Sequence, residues 1–144
     1  KEIIEYGEVT EIPMVPAFIC GVINLRGAVV PVIDLAARFG NTPTIPSRRT
    51  CIIILEIRHE DSTQTLGVLV DSVSAVLDIP TSEIEPPPAF GARIRADFIV
   101  GMGKVDGHFV ILLDIERVLS VDEIATLASL GESDTSEAVS ASLN

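Results

Sequence analysis

The sequence has few of the residues that carry covalent cross-links or common catalytic chemistry. Its 144 residues include no Trp, one Tyr, five Phe, two Cys and two His. Two thiols do not make the cysteine framework of a disulfide-rich domain or a structural zinc site. No apolar run approaches the roughly 18 residues that a membrane span requires. The sequence therefore predicts a domain held together by its hydrophobic core, with no metal, no cofactor and no membrane insertion.

Basic residues are scarce as well. Ten Lys and Arg residues stand against 21 Asp and Glu residues, which gives a net charge of −11. A charge of this sign repels phosphate backbones and anionic lipid headgroups, so nucleic acid is excluded as an expected partner. Apolar residues make up 47% of the chain, enough for a folded domain of this length.

Short β-branched segments bounded by Gly, Pro, Asp or Asn dominate the chain and predict an all-β fold with short helices. The strongest candidates for strands are residues 27–33, 51–57, 66–70, 73–79 and 108–113. A capping box at Ser120 to Glu123 predicts a C-terminal helix over about 121–130. Residues 132–144 are rich in Ser, Ala, Glu and Asp and are predicted to be a disordered acidic tail.

An internal repeat is the most informative feature of the sequence. A shift of 80 residues aligns identical residues of two copies, namely Phe18 with Phe98, Ile19 with Ile99, Gly21 with Gly101, Gly27 with Gly107, Val30 with Val110 and Asp34 with Asp114. The repeat predicts two copies of one small β unit, with sequence halves of about 1–45 and about 46–120. Ahead of its Phe98 block, the second copy has about two predicted strands that the first copy lacks. The first unit is therefore expected to be trimmed at its N-terminus or completed by another chain.

Each copy ends its buried strand with one Asp, Asp34 or Asp114. A duplicated β lobe with one Asp in each half is the arrangement of an aspartic-protease dyad, in which two carboxylates activate a water molecule. Such a dyad needs a small hydroxyl residue and Gly after the Asp, whereas Leu35–Ala36 and Ile115–Glu116 follow here. We therefore predict that both Asp residues are structural caps of short helical turns, with an aspartyl hydrolase as the alternative.

The turns of the two copies differ in sequence, and the difference at Arg26 bears on recognition. Asn24–Leu25–Arg26–Gly27 of the first copy corresponds to Lys104–Val105–Asp106–Gly107 of the second. An arginine at a tight turn beside an apolar barrel is a candidate for recognition, and Glu2 is its candidate ion-pair partner. Because an exposed pair contributes only ~0.2–1 kcal/mol to stability, stabilisation alone is a weak reason for it. From the residues alone, a solvated turn arginine stays the alternative.

The residues around this turn also carry a wider pattern. It includes the run from Gly21 to Gly27, Gly-Val-Ile-Asn-Leu-Arg-Gly, and the run from Val29 to Leu35, Val-Val-Pro-Val-Ile-Asp-Leu. Further matching segments are residues 2–6, 12–20, 67–73, 84–86, 98–101 and 112–115. This pattern resembles the CheW-like domain family of bacterial chemotaxis. The resemblance implies one domain over residues 1–131, built from two five-stranded SH3-like β-barrels packed together, with the first barrel incomplete in this sequence.

The resemblance implies an adaptor without catalytic activity. Members of the family bridge the signalling tips of methyl-accepting chemotaxis receptors to the regulatory domain of the histidine kinase CheA, in cytoplasmic arrays at the membrane. A CheW-like module of a CheA or CheV chain is the alternative within the family. Strand exchange or self-association through the incomplete first barrel is a further expected interaction.

The resemblance also implies which residues bind these partners. In the family, the Glu and Arg that match Glu2 and Arg26 are associated with receptor and kinase coupling. The residues expected to couple receptor and kinase are Glu2, Asn24, Leu25, Arg26 and Gly27. An apolar stripe of the receptor tip would lie in a groove lined by Ile3, Val70, Val73 and Val76.

Overall fold

Strands account for most of the regular structure, as the β-branched segments predict. A computed structural model describes residues 2–40, 42–87 and 98–132. In chain order, its strands and α-helices are β1 (Glu2–Glu5), β2 (Ile19–Leu25), β3 (Ala28–Asp34), α1 (Leu35–Arg38), β4 (Cys51–His59), β5 (Ser62–Val70), β6 (Ile84–Glu85), β7 (Ile99–Val105), β8 (His108–Leu113), α2 (Ile115–Val118) and α3 (Val121–Glu132), with a short 3-10 helix at Thr81–Glu83.

The predicted C-terminal helix and one predicted strand differ from the structure in their extent. The helix expected over about 121–130 is α3, and it extends to Glu132. The strand expected over residues 73–79 is not formed, since residues 72–80 have neither strand nor helix assignment. The predicted acidic tail lies outside the described residues, apart from Glu132.

The chain divides into two compact units. The first contains Lys1–Ser74 together with Asp122–Asn144, and the second contains Ala75–Val121. This division differs from the predicted sequence halves at about residue 45. The reason is that β4 and β5, which the repeat assigns to the second copy, pair with strands of the first copy.

The first unit contains a five-stranded sheet in the order β1-β4-β5-β3-β2. Its strand pairs are antiparallel except β3 and β5, which run parallel with Ile33 opposite Val68. The sheet curls, because Thr10 beyond β1 reaches Val22 on β2 through two N–H···O bonds of 2.9 Å. The apolar core inside this curled sheet is formed by Ile23, Val30, Val32, Ile52, Ile54 and Leu69. The first copy lacks two strands in sequence. In the first sheet their places are taken by β4 and β5, which the repeat assigns to the second copy.

Helix α3 contacts this first unit at both of its ends. Near its start, Glu123 forms an ion pair with Arg38 of α1 at 3.0 Å, and both side chains are largely buried. Near its end, Gly131 lies so close to Gln64 on β5 that an added Cβ would be 2.8 Å from Nε2. Leu127 between them is completely buried. From Asp122 onward, the helix predicted over about 121–130 is therefore a packed part of the first unit.

The second unit contains a three-stranded sheet, β6-β7-β8, among the residues that the structure describes. Its β7–β8 hairpin repeats the register of β2–β3, with the same irregularity between Ile99 and Gly101 as between Ile19 and Gly21. In both hairpins, the two turn residues have positive φ, as type I′ turns require: 52° and 86° at Arg26 and Gly27, 50° and 80° at Asp106 and Gly107. The sequence repeat is therefore present in the backbone.

Asp34 and Asp114 each cap the short helix that follows. Oδ1 of Asp34 accepts the N–H of Ala36 at 3.0 Å, and Oδ1 of Asp114 accepts the N–H of Glu116 at 3.1 Å. Asp34 is buried and also binds Thr44, whose N–H donates to Oδ2 at 2.7 Å and whose hydroxyl donates to Oδ1 at 2.9 Å. Both oxygens of Asp34 are thus occupied by its own chain, which does not suit a carboxylate that activates water.

Replacing Asp34 with Ala should destabilise the protein more than the same change at Asp114. The first change leaves three donors without their acceptor in a buried site and should lower the free energy of unfolding by about 3 kcal/mol. Asp114→Ala removes one partly exposed cap and a solvent-screened ion pair with Arg117, and it should cost about 1 kcal/mol. Urea unfolding followed by circular dichroism measures both, and equal losses would contradict the clamp between Asp34 and Thr44.

Candidate functional site

The structure brings Arg26 and Glu2 together as a two-pronged ion pair. Arg26 Nη2 donates to Glu2 Oε1 at 2.8 Å, and Nη1 donates to Oε2 at 3.1 Å. This geometry matches the planar guanidinium to both oxygens of the carboxylate. The Arg26 side chain is 70% exposed and that of Glu2 is 39% exposed, so the pair lies at the surface.

Local backbone geometry positions the arginine. The turn between β2 and β3 holds Arg26 at a φ of 52°, and Oδ1 of Asn24 accepts the N–H of Gly27 across the turn at 2.9 Å. Glu2 reaches the pair because β1 lies at the edge of the sheet, with Glu2 opposite Ile54 of β4. Asn24 and Gly27 therefore shape the turn, while the charged groups come from Arg26 and Glu2.

Each charge stabilises the other. The hydrogen bond from Arg26 lowers the pKa of Glu2, and the hydrogen bond to Glu2 raises the pKa of Arg26. Both groups are therefore ionised at neutral pH. The pair is exposed, so solvent screens it, and its contribution to stability is small.

A cavity of about 400 Å³ opens beside this pair. Its apolar lining includes Leu25, Val30 and Ile54, and its charged lining residues are Glu2, Arg26 and Glu56. Val30 and Ile54 also belong to the core of the curled sheet, so the cavity leads from the surface toward that core. An apolar floor with a charged rim is suited to receive a small apolar side chain while the rim sets its orientation.

Sequence reasoning missed Glu56 at this site. It is the one charged residue within the run Cys51–Ile57, which otherwise reads Cys-Ile-Ile-Ile-Leu-Ile. On β4 it lies opposite Thr65 of β5, and both residues line the cavity. A carboxylate that interrupts an apolar strand can indicate a functional site. The sequence alone did not indicate where this strand would pair, so it did not place Glu56 at the cavity.

The predicted groove residues occupy different places. Ile3 neighbours Glu2 on β1, and successive strand side chains point to opposite faces, so Ile3 faces away from the Glu2 side of the sheet. Ile3 is 41% exposed, and Val70 at the end of β5 is partly buried. Val73 belongs to the first unit, whereas Val76 belongs to the second. Their assignment to one groove stays a prediction.

Outside this site, the described residues provide few groups suited to catalysis or metal binding. Burial raises the pKa of the Cys20 thiol to about 11, so it is a neutral thiol at physiological pH. Across residues 2–40, 42–87 and 98–132, no group of His, Cys, Asp and Glu side chains could hold a metal ion. In that part of the chain, no helix has the length and apolar character needed to cross a membrane.

Comparison with known proteins gives a consistent result. Residues 1–123 match the CheW-like domain. The chain is 35% identical over 133 residues to the chemotaxis protein CheW of Klebsiella aerogenes, a match that covers 92% of this chain and 78% of that protein. It is 40% identical over 119 residues to the chemotaxis protein CheW of Bacillus subtilis, covering 83% of this chain and 74% of that protein.

A solved structure agrees with these matches. The crystal structure of the scaffolding protein TtCheW from Thermoanaerobacter tengcongensis superposes with a TM-score of 0.70 at 37% identity. The superposition covers 85% of this chain and 76% of that chain. By its sequence and by its fold, the chain belongs to the CheW-like domain family.

Proposed function

We propose that this protein is a chemotaxis adaptor that couples methyl-accepting receptors to the histidine kinase CheA by binding both. Relatives named chemotaxis protein CheW and a solved scaffolding protein of the same fold support the assignment. The observation that carries it is the Arg26–Glu2 pair beside a cavity with both apolar and charged lining residues, at the two positions that the family resemblance links to coupling.

The site is built for binding rather than for stability. An ion pair with a 70% exposed arginine adds little to folding, but it presents a fixed pattern of charge to a partner. In such interfaces, rim charges set orientation and association rate, while apolar contacts supply affinity. Arg26 and Glu2 would orient the partner, and the floor formed by Leu25, Val30 and Ile54 would receive an apolar side chain.

The adaptor is proposed to act without catalysis. The carboxylate of Asp34 is buried and bonded to Ala36 and Thr44, so the hydrolase alternative lacks an accessible acid in the first unit. The proposed partners are the receptor signalling tip and the regulatory domain of CheA. Binding to both would recruit the protein to receptor arrays on the cytoplasmic side of the membrane.

A direct binding experiment tests this proposal. The immobilised protein should retain both the purified regulatory domain of CheA and a soluble fragment of a receptor signalling tip, each with micromolar affinity or better. The receptor fragment should lose its binding when the apolar residues of its tip are replaced by Asp. Failure to retain either partner at tens of micromolar would overturn the proposal.

A further inference from the structure

Glu56 is the charged residue of the cavity that the ion pair leaves uncompensated. The charged residues of the cavity lining are Glu2, Arg26 and Glu56. Both terminal nitrogens of Arg26 donate to the carboxylate of Glu2, so these two charges offset each other. In the part of the chain that the structure describes, the carboxylate of Glu56 has no hydrogen bond or ion pair. The described lining therefore carries one net negative charge.

Glu56 lies on the side of its strand that faces the core. Successive side chains of β4 point to opposite faces, so Ile52, Ile54 and Glu56 share one face. Ile52 and Ile54 belong to the buried core, whereas Glu56 is exposed. Thr65, directly opposite Glu56 on β5, also lines the cavity. The apolar row of β4 therefore ends in a carboxylate where the curled sheet opens to solvent.

The place of β4 in the sheet excludes one common structural reason for such a charge. Inward-pointing charges protect exposed edge strands from pairing with other chains. β4 is not an edge strand, because it lies between β1 and β5. A carboxylate without a counter-charge at the rim of an apolar floor is suited to bind a cationic group while the floor binds an apolar one. The cavity therefore fits a ligand that carries both groups, and it repels phosphate and carboxylate groups.

A lysine or arginine next to an apolar side chain supplies this combination in a protein. Of the two proposed partners, the receptor tip is expected in a groove that includes Ile3, and Ile3 faces away from the Glu2 side of the sheet. The cavity is lined by Glu2 itself. A receptor tip in the expected groove would therefore leave the cavity to the other partner, the regulatory domain of CheA.

We propose that Glu56 selects the segment of the CheA regulatory domain that binds at this cavity, by forming an ion pair with a Lys or Arg beside the apolar side chain that enters it. The inference rests on the proposed function, because it needs CheA as a partner. Leu25, Val30 and Ile54 supply the apolar contact, and Glu56 adds a requirement for positive charge. A segment with a neutral or acidic residue at that place would desolvate Glu56 without a counter-charge, which lowers affinity.

Titration calorimetry with the purified regulatory domain tests the role of Glu56. Glu56→Gln removes the charge at nearly constant size and should weaken binding about fivefold, while Glu56→Lys should weaken it at least about tenfold. Added salt should weaken binding of the unmodified chain more than that of Glu56→Gln, because one screened ion pair is absent from the variant. Glu8→Lys is the matched control, since it makes the same charge change at an exposed position outside the cavity lining.

A charge exchange identifies the partner's residue. Each surface Lys and Arg of the regulatory domain is replaced by Glu, and every variant is titrated against the unmodified chain and against Glu56→Lys. One of these variants should lose affinity for the unmodified chain and regain it with Glu56→Lys, since that combination restores the ion pair with its polarity reversed. Circular dichroism of Glu56→Lys controls for folding. If no variant of the regulatory domain regains affinity in this way, the direct ion pair is overturned.

The outcomes also separate this inference from the proposed function. If the unmodified chain binds neither the receptor fragment nor the regulatory domain, the proposed function fails and the inference fails with it. If the unmodified chain binds both partners and Glu56→Lys binds the regulatory domain equally well, only the inference is overturned. If Glu56→Lys loses the receptor fragment alone, the assignment of the cavity to CheA is overturned in favour of the receptor.

Discussion

Replacing Arg26 with Glu is expected to abolish receptor-coupled control of kinase activity while the fold stays intact. The change puts two carboxylates side by side at the rim of the cavity, where Arg26 and Glu2 now form a pair at 2.8 Å. Arg26 already has a φ of 52°, so Glu meets a similar backbone constraint. Affinity for the partner bound at this rim should fall at least about tenfold, or ~1.4 kcal/mol.

The measurement combines titration calorimetry with a reconstituted assay of CheA phosphorylation in the presence of receptor. Arg48→Glu is the matched control, because it changes the net charge equally at an exposed loop position away from the cavity lining. The double variant Glu2→Arg with Arg26→Glu restores the ion pair with its polarity reversed. We expect coupling to stay lost in the double variant, since a partner reads the direction of charge. Normal coupling by Arg26→Glu would contradict the proposed role.

Gly21→Ala is expected to produce the largest loss of stability, at least about 4 kcal/mol. Gly21 has a φ of 144°, and a Cβ there would lie 2.0 Å from the carbonyl oxygen of Thr10. That oxygen accepts the N–H of Val22, so the substitution pushes apart the bridge that curls the first sheet. A backbone atom so close to the new methyl group has no rotamer by which to withdraw.

Gly40→Ala separates the clash from the backbone strain. Gly40 also has a positive φ, 84°, but an added Cβ would meet nothing within 4 Å. Its loss should therefore be only about 1 kcal/mol, the cost of a left-handed conformation for a residue with a side chain. Chemical unfolding of both variants measures the two losses of stability. Similar midpoints would show that the bridge between Thr10 and Val22 contributes little.

The parts of the fold that could be predicted from the sequence are those fixed by local signals. The β7–β8 hairpin follows from Asp106–Gly107 between two apolar runs, and the two caps follow from an Asp at the end of each buried strand. The path of β4 and β5 could not be predicted in this way. An apolar run such as residues 51–55 fits any sheet, and the parallel pairing of Ile33 with Val68 depends on contacts between distant parts of the chain.

The candidate site, too, could be predicted from the sequence only in part. The turn at Arg26 and its partner Glu2 were predicted from the repeat and from the family pattern, and the structure places them in contact. Glu56 was missed, because only the pairing of β4 with β1 and β5 brings it to the cavity. The strand predicted over residues 73–79 is not formed, for a related reason. Its β-branched residues favour extended structure, but a strand also needs a neighbour to pair with.

The division of the chain into units has a consequence for its synthesis. The second unit is inserted within the first, which resumes only at Asp122. All five strands of the first sheet are synthesised before α3. At about 5–20 residues per second, several seconds pass between the synthesis of β5 and that of α3. Until then, Arg38 and Gln64 lack the helix that contacts them. A chain that ends just before Asp122 would therefore contain all of the second unit but lack the helix that packs on the first.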